Sequence, residues 1–240
     1  MKVEVFPTRA ALAGKAAEAI ARVLRRNRHP VLLLPAGKTA VPVYRELRRL
    51  HAVGRAPMAG ATTFNLDELR LPAADPRSFR SFMDRHLFSD VDLPPDRIRF
   101  LRGDAPDAAR ECARYERNLA LDGPADLAFV GIGVNGHVAY LEPARALPPR
   151  TALVRLSAAT RRVLARDGVR PVPREALTVG LETIFASREI LLVASGARKA
   201  AAVAAALEGP VTPRCPASFL SLHPGLSVML DRTAAARLGR

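Results

Sequence analysis

The chain has 240 residues, 49% of them hydrophobic and 25% charged, which is enough to bury the core of one large α/β domain spanning residues 1–240. No apolar run is long enough to cross a bilayer and the first residues lack a signal-peptide layout, so we expect a cytoplasmic protein with no membrane partner. The formal charge of +14 comes from basic residues scattered along the chain without interleaved aromatic residues, so we expect no nucleic-acid partner, although an anionic metabolite would be attracted.

Short apolar runs alternate with helical periods along the chain. A strand is predicted at 3–6, then a helix that begins at Thr8 and ends before Pro30, a strand at 31–34 and a helix around 43–50. The pattern continues with strands at 62–66, 98–101, 127–131, 152–156, 190–194 and 226–230, and with helices at 79–88, 105–121, 157–166 and 199–207. Because strands separated by helices favour parallel pairing, the sequence predicts an α/β fold with a mostly parallel sheet and helices on both faces.

Two glycine motifs follow predicted strands, but neither fits a nucleotide site. Residues 131–136 match GxGxxG, yet Pro143 interrupts the helix that should follow, and no carboxylate lies about 20 positions further on. Residues 37–39 match the end of a P-loop, but the glycine required upstream falls on Leu32, inside a strand. Backbone N–H groups and the hydroxyl of Thr39 at this helix start are still suited to holding a phosphate.

The two cysteines, Cys112 and Cys215, stand in neither a CxxC nor a Cys/His spacing. The first lies in a helical pattern and the second in a proline-rich loop, which favours two reduced, unpaired thiols. The cysteines therefore indicate no metal site. Since the two glycine motifs do not fit a nucleotide either, we expect no cofactor.

Polar side chains follow several predicted strands, and ligands bind α/β sheets beyond the carboxyl ends of the strands. Asp67 and Glu68 follow one strand, an arrangement that also fits a solvated turn. His137 follows another strand, with Glu142 five residues on, and fits either a proton shuttle or a surface histidine. The helix start at 195–199 has the form of an anion site or of an ordinary capped helix. Together these features predict proton transfer on a phosphorylated small molecule.

Five segments resemble glucosamine-6-phosphate deaminases, in the same order and over essentially the whole chain. They are 63–68 (TFNLDE), 131–143 (GIGVNGHVAYLEP), 176–180 (ALTVG), 195–200 (SGARKA) and 218–224 (SFLSLHP). The GHxAxxEP pattern is the specific one, because 6-phosphogluconolactonases share the glycine loops. The resemblance implies a modified Rossmann fold, a three-layer α/β/α sandwich. It also implies a phosphorylated amino sugar as substrate, fructose 6-phosphate and ammonia as products, and no cofactor.

The resemblance implies roles for single residues as well. Asp67 matches the base that moves a proton between C2 and C1 of the open-chain sugar. His137 matches the residue that opens the pyranose ring, Glu142 its orienting carboxylate, and Asn135 a position that is Asp in many members. Arg166 lies on a segment that acts as a lid in the family. The phosphate ligands expected are Gly37, Lys38, Thr39, Arg166 and Lys199.

Some positions depart from the family pattern. Lys38 replaces a glycine that is usual in the first phosphate loop, and Leu69 stands where Tyr is frequent. Leu141 replaces the Asn that usually precedes the Glu-Pro pair, which is expected to alter contacts around the sugar. No allosteric activation by an amino sugar is predicted, and a monomer or a homo-oligomer is expected. The effector-binding places of the regulated hexameric members are occupied here by Arg145, Ala152 and Val154.

Several functions remain open at this point. A 6-phosphogluconolactonase shares the fold, the phosphate loops and the histidine, but its loop normally lacks the Ala-x-x-Glu-Pro pattern. An isomerase for another phosphosugar is favoured by Leu141. A non-catalytic sensor of sugar phosphates would be favoured if Asp67 or His137 were missing, and both are present.

Overall fold

The computed structural model describes residues 1–239, which form ten β-strands and seven α-helices. The strands are β1 (Lys2–Phe6), β2 (Val31–Leu34), β3 (Thr62–Asn65), β4 (Asp67–Leu69), β5 (Ile98–Arg99), β6 (Leu127–Gly131), β7 (Ala152–Arg155), β8 (Glu175–Thr178), β9 (Glu189–Ala194) and β10 (Leu226–Asp231). The helices are α1 (Arg9–Arg26), α2 (Ala40–Ala52), α3 (Phe79–His86), α4 (Ala108–Asp122), α5 (Ala158–Arg166), α6 (Leu181–Phe185) and α7 (Ala200–Leu207). Within this described range, no helix combines the length and apolar character that a membrane crossing needs.

Seven strands form one parallel sheet in the order β1-β10-β9-β6-β2-β3-β5. Strand β2 lies inside the sheet, where Leu33 is opposite Phe64 of β3 and Ala128 of β6. All four residues of β2 are buried, as its continuous apolar run indicates, because helices cover both faces of the sheet. The predicted α/β fold with a mostly parallel sheet is therefore confirmed.

Alternate residues of the inner strands enter different cores, because successive side chains of a strand point to opposite faces. Leu32 and Leu34 pack with α1, α2 and α3 on one face. Leu33 and Val130 pack with α4, α6 and α7 on the other face. Each leucine that is fully buried in this way stabilises the fold by about 2 kcal/mol. The result is the three-layer arrangement that the family resemblance implies.

Helix α1 begins where the sequence predicts. The side chain of Thr8 accepts a hydrogen bond from the N–H of Ala11 at 3.1 Å, and the apolar face from Leu12 to Ile20 is buried. The helix packs against α2, and Arg9 in its first turn donates from Nη2 to the carbonyl of Lys38 at 2.9 Å. Helix α1 therefore supports the loop between β2 and α2.

A second, antiparallel sheet joins three short strands in the order β4-β8-β7 and was not predicted. The strand expected at 152–156 exists as β7, but it belongs to this sheet and not to the parallel one. Helix α5 packs on the sheet through Leu164, which shares a small core with Leu69 and Ala176. Strand β4 has three residues and β8 has four, which is too short for a clear periodic pattern.

The two sheets meet at Leu66. The predicted strand 62–66 ends one residue early, since the chain bends at Leu66 and enters β4. The N–H of Leu66 donates to the carbonyl of Leu34 at 3.0 Å, and its own carbonyl accepts from the N–H of Val179 at 2.8 Å. This junction fixes the position of Asp67, the first residue of β4.

Candidate active site

Asp67 is buried just beyond the carboxyl end of β3, with 6% of its surface exposed. Its Oδ1 has no hydrogen-bond partner within residues 1–239. Burial, reinforced by repulsion from Glu68, raises the pKa of Asp67 well above its usual value. A carboxylate with a raised pKa is a stronger base, so this environment suits a residue that removes a proton from carbon and returns it.

Glu68 is buried as well and is not part of a solvated turn. Its carboxylate accepts hydrogen bonds from the N–H groups of Leu69, Phe79 and Arg80, at distances from 2.7 to 2.8 Å. Two of these N–H groups belong to the first turn of α3, where they have no partner inside the helix. Burial raises the pKa of Glu68 to about 7, and the three N–H groups oppose the rise. Glu68 therefore ties α3 to β4 beside Asp67.

The loop after β6 folds the ring of His137 over Gly133. The N–H of Gly133 donates to the carbonyl of His137 at 2.8 Å. A Cβ atom built on Gly133 would lie 2.3 Å from Cε1 of the His137 ring, so no larger residue fits there without moving the ring. The N–H of His137 donates to Oδ1 of Asn135 at 3.3 Å, which fixes the loop from its other side.

Glu142 lies beside the His137 ring, with 3.9 Å between its Oε2 and Nδ1 of the histidine. The amide Nδ2 of Asn135 donates to Oε2 at 2.8 Å, and the hydroxyl of Thr160 donates to Oε1. Both carboxylate oxygens are thus held in place. The structure brings together the predicted residues Asn135, His137 and Glu142, and it adds Thr160, which the sequence analysis missed.

Burial lowers the pKa of His137 to about 4; Glu142 opposes this shift, and Lys199 adds to it. The imidazole is therefore neutral near pH 7, with one ring nitrogen able to donate and the other able to accept a proton. Lys199 donates from Nζ to the carbonyl of Ile132 at 2.6 Å, and burial lowers its own pKa. The predicted phosphate ligand Lys199 thus lies next to the histidine loop.

The two predicted phosphate loops face each other at one rim of the parallel sheet. Gly37 has a φ of 131°, in the region that favours glycine, and its carbonyl accepts from the N–H of Ala40 at the start of α2. Thr39 and Ser195 border the same narrow crevice, together with Arg9, and the crevice is too tight to hold a water molecule. The side chain of Thr39 does not cap α2, which leaves its hydroxyl for a ligand.

Helix α5 connects the histidine loop to the first phosphate loop. Thr160 near its start bonds Glu142, and Asp167 just past its end pairs with Lys38, whose Nζ lies 2.6 Å from Oδ1. Lys38 is one of the predicted phosphate ligands, and in the structure its amine already has a carboxylate partner. Arg166, another predicted ligand, is exposed at the last residue of α5, next to Asp167.

Arg161 was missed by the sequence analysis. It follows Thr160 on α5 and is half-buried, and its Nε is buried without a hydrogen-bond partner in the described part of the chain. A buried guanidinium nitrogen of this kind is expected to meet an anion, because leaving it unpaired is unfavourable. No sequence signal distinguishes Arg161, because arginine doublets also occur at 25–26 and 48–49.

The expectation that Leu141 alters contacts around the sugar is not supported. Leu141 is 1% exposed and packs in the main core with Leu66 and Val138. The neighbouring side chain lies at the site instead, since the ring centroid of Tyr140 is 6.4 Å from that of His137. Residues 138–141 form a tight turn, in which the N–H of Leu141 donates to the carbonyl of Val138 at 2.9 Å, so Leu141 returns to the core beside Val138 while Tyr140 lies next to His137.

The fold and the site together define an α/β enzyme that transfers protons on a small anionic substrate. The site contains a buried carboxylate and an imidazole that is neutral near pH 7, an arrangement suited to proton transfer, and two phosphate-type loops border the same rim. Comparison with known proteins makes this class more specific. The family model of glucosamine-6-phosphate isomerases and 6-phosphogluconolactonase matches residues 7–228, so the chain belongs to this family.

Curated relatives extend over nearly the whole chain. Glucosamine-6-phosphate deaminase 1 of Giardia intestinalis is 43% identical over 224 residues, which cover 92% of this chain and 84% of the relative. Glucosamine-6-phosphate deaminase 1 of Bacillus subtilis (strain 168) is 38% identical over 239 residues, which cover 98% and 99%.

Solved structures share the fold. A monomeric glucosamine-6-phosphate deaminase of the NagB superfamily is 38% identical and superposes with a TM-score of 0.95, covering 99% of this chain and 100% of that one. A 6-phosphogluconolactonase from Trypanosoma cruzi superposes with a TM-score of 0.79 at 19% identity, covering 100% and 97%. At 19% identity, the similarity to the 6-phosphogluconolactonase shows a shared fold and nothing about the reaction.

Proposed function

We propose that the chain converts glucosamine 6-phosphate and water into fructose 6-phosphate and ammonia. The observation that carries this proposal is the position of Tyr140, whose ring centroid lies 6.4 Å from that of His137 and whose N–H bonds Oγ1 of Thr178, the residue opposite Asp67 in the second sheet. The carboxylate that we assign to proton abstraction, Asp67, and the pair that we assign to ring opening, His137 with Glu142, therefore lie near one side chain. They can act on the same sugar molecule. Relatives at 38% and 43% identity are named as deaminases of this substrate, which supports the same choice.

In the first step His137 opens the sugar ring. One nitrogen of the neutral imidazole accepts the proton of the C1 hydroxyl, and the imidazolium then gives a proton to O5 as the C1–O5 bond breaks, which restores the neutral imidazole. C1 becomes an aldehyde. Glu142, held by Asn135 and Thr160, stabilises the positive charge that the imidazole carries during the transfer.

In the second step the ionised carboxylate of Asp67 removes the proton from C2. A C1=C2 double bond forms and negative charge passes to O1, which gives an enolate with the amine still on C2. Asp67 returns its proton to C1 and O1 takes up a proton from solvent, while the nitrogen lone pair forms a C2=N bond. Water then adds to C2 of this protonated imine, and ammonia leaves with a proton to give fructose 6-phosphate.

The phosphate end of the sugar is held where the two glycine loops meet. The ligands we assign are Gly37, Lys38, Thr39, Arg166 and Lys199, and Arg161 joins them because of its unpaired buried Nε. The variants Arg161→Ala and Arg166→Ala on the same helix separate the two arginines. If the arginine that is removed binds the phosphate, the KM should rise about 10-fold or more, with a smaller change in kcat. An unchanged KM in both variants removes α5 from the phosphate site.

The test of the reaction is to incubate the protein with glucosamine 6-phosphate and to measure ammonia and fructose 6-phosphate in parallel. Equal amounts of both products are expected. Asp67→Asn should lower turnover by more than about 1,000-fold, because its amide cannot accept the C2 proton, and fructose 6-phosphate should still bind in calorimetry. Asp104→Asn changes an exposed carboxylate and is the matched control. Rates like the wild type in Asp67→Asn reject the role of Asp67.

A lactonase is the alternative that the fold allows. Hydrolysis of 6-phosphogluconolactone is therefore measured on the same preparation. Lactonase activity without release of ammonia from glucosamine 6-phosphate would overturn the proposed reaction, whereas ammonia release without lactonase activity supports it.

A further inference from the structure

The chain has three tyrosines and no tryptophan, and the charge of Asp67 acts on all three hydroxyls. They come from three different elements, since Tyr44 is on α2, Tyr115 is on α4 and Tyr140 follows the histidine loop. All three are buried, and the charge of Asp67 adds to the effect of burial in raising the pKa of each hydroxyl. Each tyrosine is therefore neutral near pH 7 and has one proton to donate.

Two of these hydroxyls are bonded to the protein backbone. Tyr44 donates to the carbonyl of Pro35 at 2.6 Å, and Tyr115 donates to the carbonyl of Asn65 at 2.6 Å. The hydroxyl of Tyr140 has no such bond within residues 1–239. Tyr140 is 7% exposed and lies beside the His137 ring, so its hydroxyl is available to bond a ligand in the site.

The position of Tyr140 is fixed on all sides except at its hydroxyl. Its ring stacks on Phe79, with 5.9 Å between centroids and 23° between ring planes, and its N–H donates to Oγ1 of Thr178 at 3.1 Å. The preceding residue, Ala139, has a φ of 50°, a conformation that costs an alanine about 1 kcal/mol or more. Strained residues of this kind cluster at active sites, where the surrounding structure holds them.

The surroundings of the Tyr140 hydroxyl identify the part of the sugar that it meets. The ring centroid of Tyr140 lies 6.4 Å from that of His137, and its N–H bonds Oγ1 of Thr178, which is opposite Asp67 in the second sheet. In agreement with this position, burial raises the pKa of the hydroxyl, and the carboxylates of Asp67, Glu68 and Glu142 add to the rise. Asp67 acts at C2 and C1, whereas the pair formed by His137 and Glu142 acts at O1 and the ring oxygen. A donor between these two groups faces the carbonyl end of the open chain.

We propose that Tyr140 is a catalytic residue whose hydroxyl donates a hydrogen bond to O1 of the open-chain sugar. This inference rests on the proposed function. Negative charge moves onto O1 when Asp67 takes the C2 proton, so the bond strengthens in the transition state and accelerates that step. The phenol keeps its own proton throughout, because its pKa is raised well above the usual value.

The test is the variant Tyr140→Phe, which keeps the ring and its stacking on Phe79 and removes only the hydroxyl. Loss of one donor at a developing negative charge should lower kcat for ammonia release about 100-fold, with the KM within about threefold of the wild type. The melting temperature should stay within about 2 °C, because no protein hydrogen bond is lost. A kcat within about threefold of the wild type overturns the inference.

The matched control is Tyr115→Phe, which removes a second buried hydroxyl on which the charge of Asp67 acts. This hydroxyl bonds the carbonyl of Asn65, so its loss should lower the melting temperature by about 2–6 °C and leave kcat within about threefold. If Tyr140→Phe lowers the melting temperature to the same degree and loses activity in proportion, the role of Tyr140 is structural and the inference fails.

A binding measurement separates this inference from the proposed reaction. Fructose 6-phosphate without ammonium is not turned over, and its binding is followed by near-ultraviolet difference absorbance, which comes from tyrosine since the chain has no tryptophan. The wild type and Tyr115→Phe should show a tyrosine shift that Tyr140→Phe lacks. An equal shift in Tyr140→Phe, or no shift in the wild type, contradicts the contact. A wild type that releases no ammonia overturns the proposed reaction instead.

Discussion

Gly133→Ala tests how closely catalysis depends on the position of the His137 ring. The added methyl would lie 2.3 Å from Cε1 and 2.4 Å from Nδ1 of the imidazole, whereas ordinary van der Waals contact begins at 3.4 Å. The ring must therefore move by at least about 1.1 Å, or turn away from Glu142 altogether. The backbone has little room to yield, because the N–H of Gly133 is bonded to the carbonyl of His137 at 2.8 Å.

The magnitude follows from that displacement. A misplacement of about 1 Å in a reacting group costs about 100-fold in rate, so kcat should fall by about two orders of magnitude. Overpacking of this kind costs about 1–3 kcal/mol of stability, which corresponds to a melting temperature lower by about 2–12 °C. The variant should thus remain folded at 25 °C and be a poor catalyst.

The assay is steady-state release of ammonia from glucosamine 6-phosphate, with thermal unfolding measured on the same preparation. Gly14→Ala is the control, because a Cβ on Gly14 in α1 meets nothing within 4 Å. It should keep kcat and raise stability by up to about 1 kcal/mol, as an alanine does inside a helix. Wild-type kcat in Gly133→Ala would refute the argument that the ring of His137 occupies this space during catalysis.

Three further variants probe the groups around the site. Glu68→Gln removes a carboxyl whose pKa is raised from 4.5 to about 7 in the folded protein. The folded wild type therefore binds this proton more tightly than the unfolded chain does, and it loses the corresponding stability as the pH rises from 4.5 to about 7. The variant should gain up to about 3 kcal/mol relative to the wild type between about pH 5 and 8 in thermal unfolding, and a constant difference contradicts this. The same variant should move the acid limb of kcat/KM to lower pH, because Glu68 raises the pKa of Asp67. Thr160→Val removes the hydroxyl that holds Glu142 and should lower kcat about 10-fold and stability by about 1–3 kcal/mol; an unchanged kcat shows that Glu142 needs no such support. Lys199→Ala should mainly raise the KM, by about 10-fold or more, and an unchanged KM counts against the phosphate assignment.

The sequence by itself determined the features that depend on neighbouring residues. The apolar run of β2 predicted a strand covered on both faces, and the helical period after Thr8 predicted α1 with its buried stripe. The GHxAxxEP pattern selected His137 and Glu142 as partners, and a loop of six residues keeps them close whatever surrounds it. These features were predictable because their signal lies within one strand, helix or turn.

The tertiary structure alone decided where the remaining groups lie. Opposite Asp67 in the second sheet is Thr178, more than a hundred positions away in the sequence, and strands of three or four residues carry no period that reveals such a pairing. Glu68 can be buried because N–H groups of α3 donate to its carboxylate. Tyr140 lies at the site and Leu141 does not, because the core takes up the side chain of Leu141. Contacts between distant segments are selected by packing and by the pairing of buried polar groups, and a local pattern does not record them.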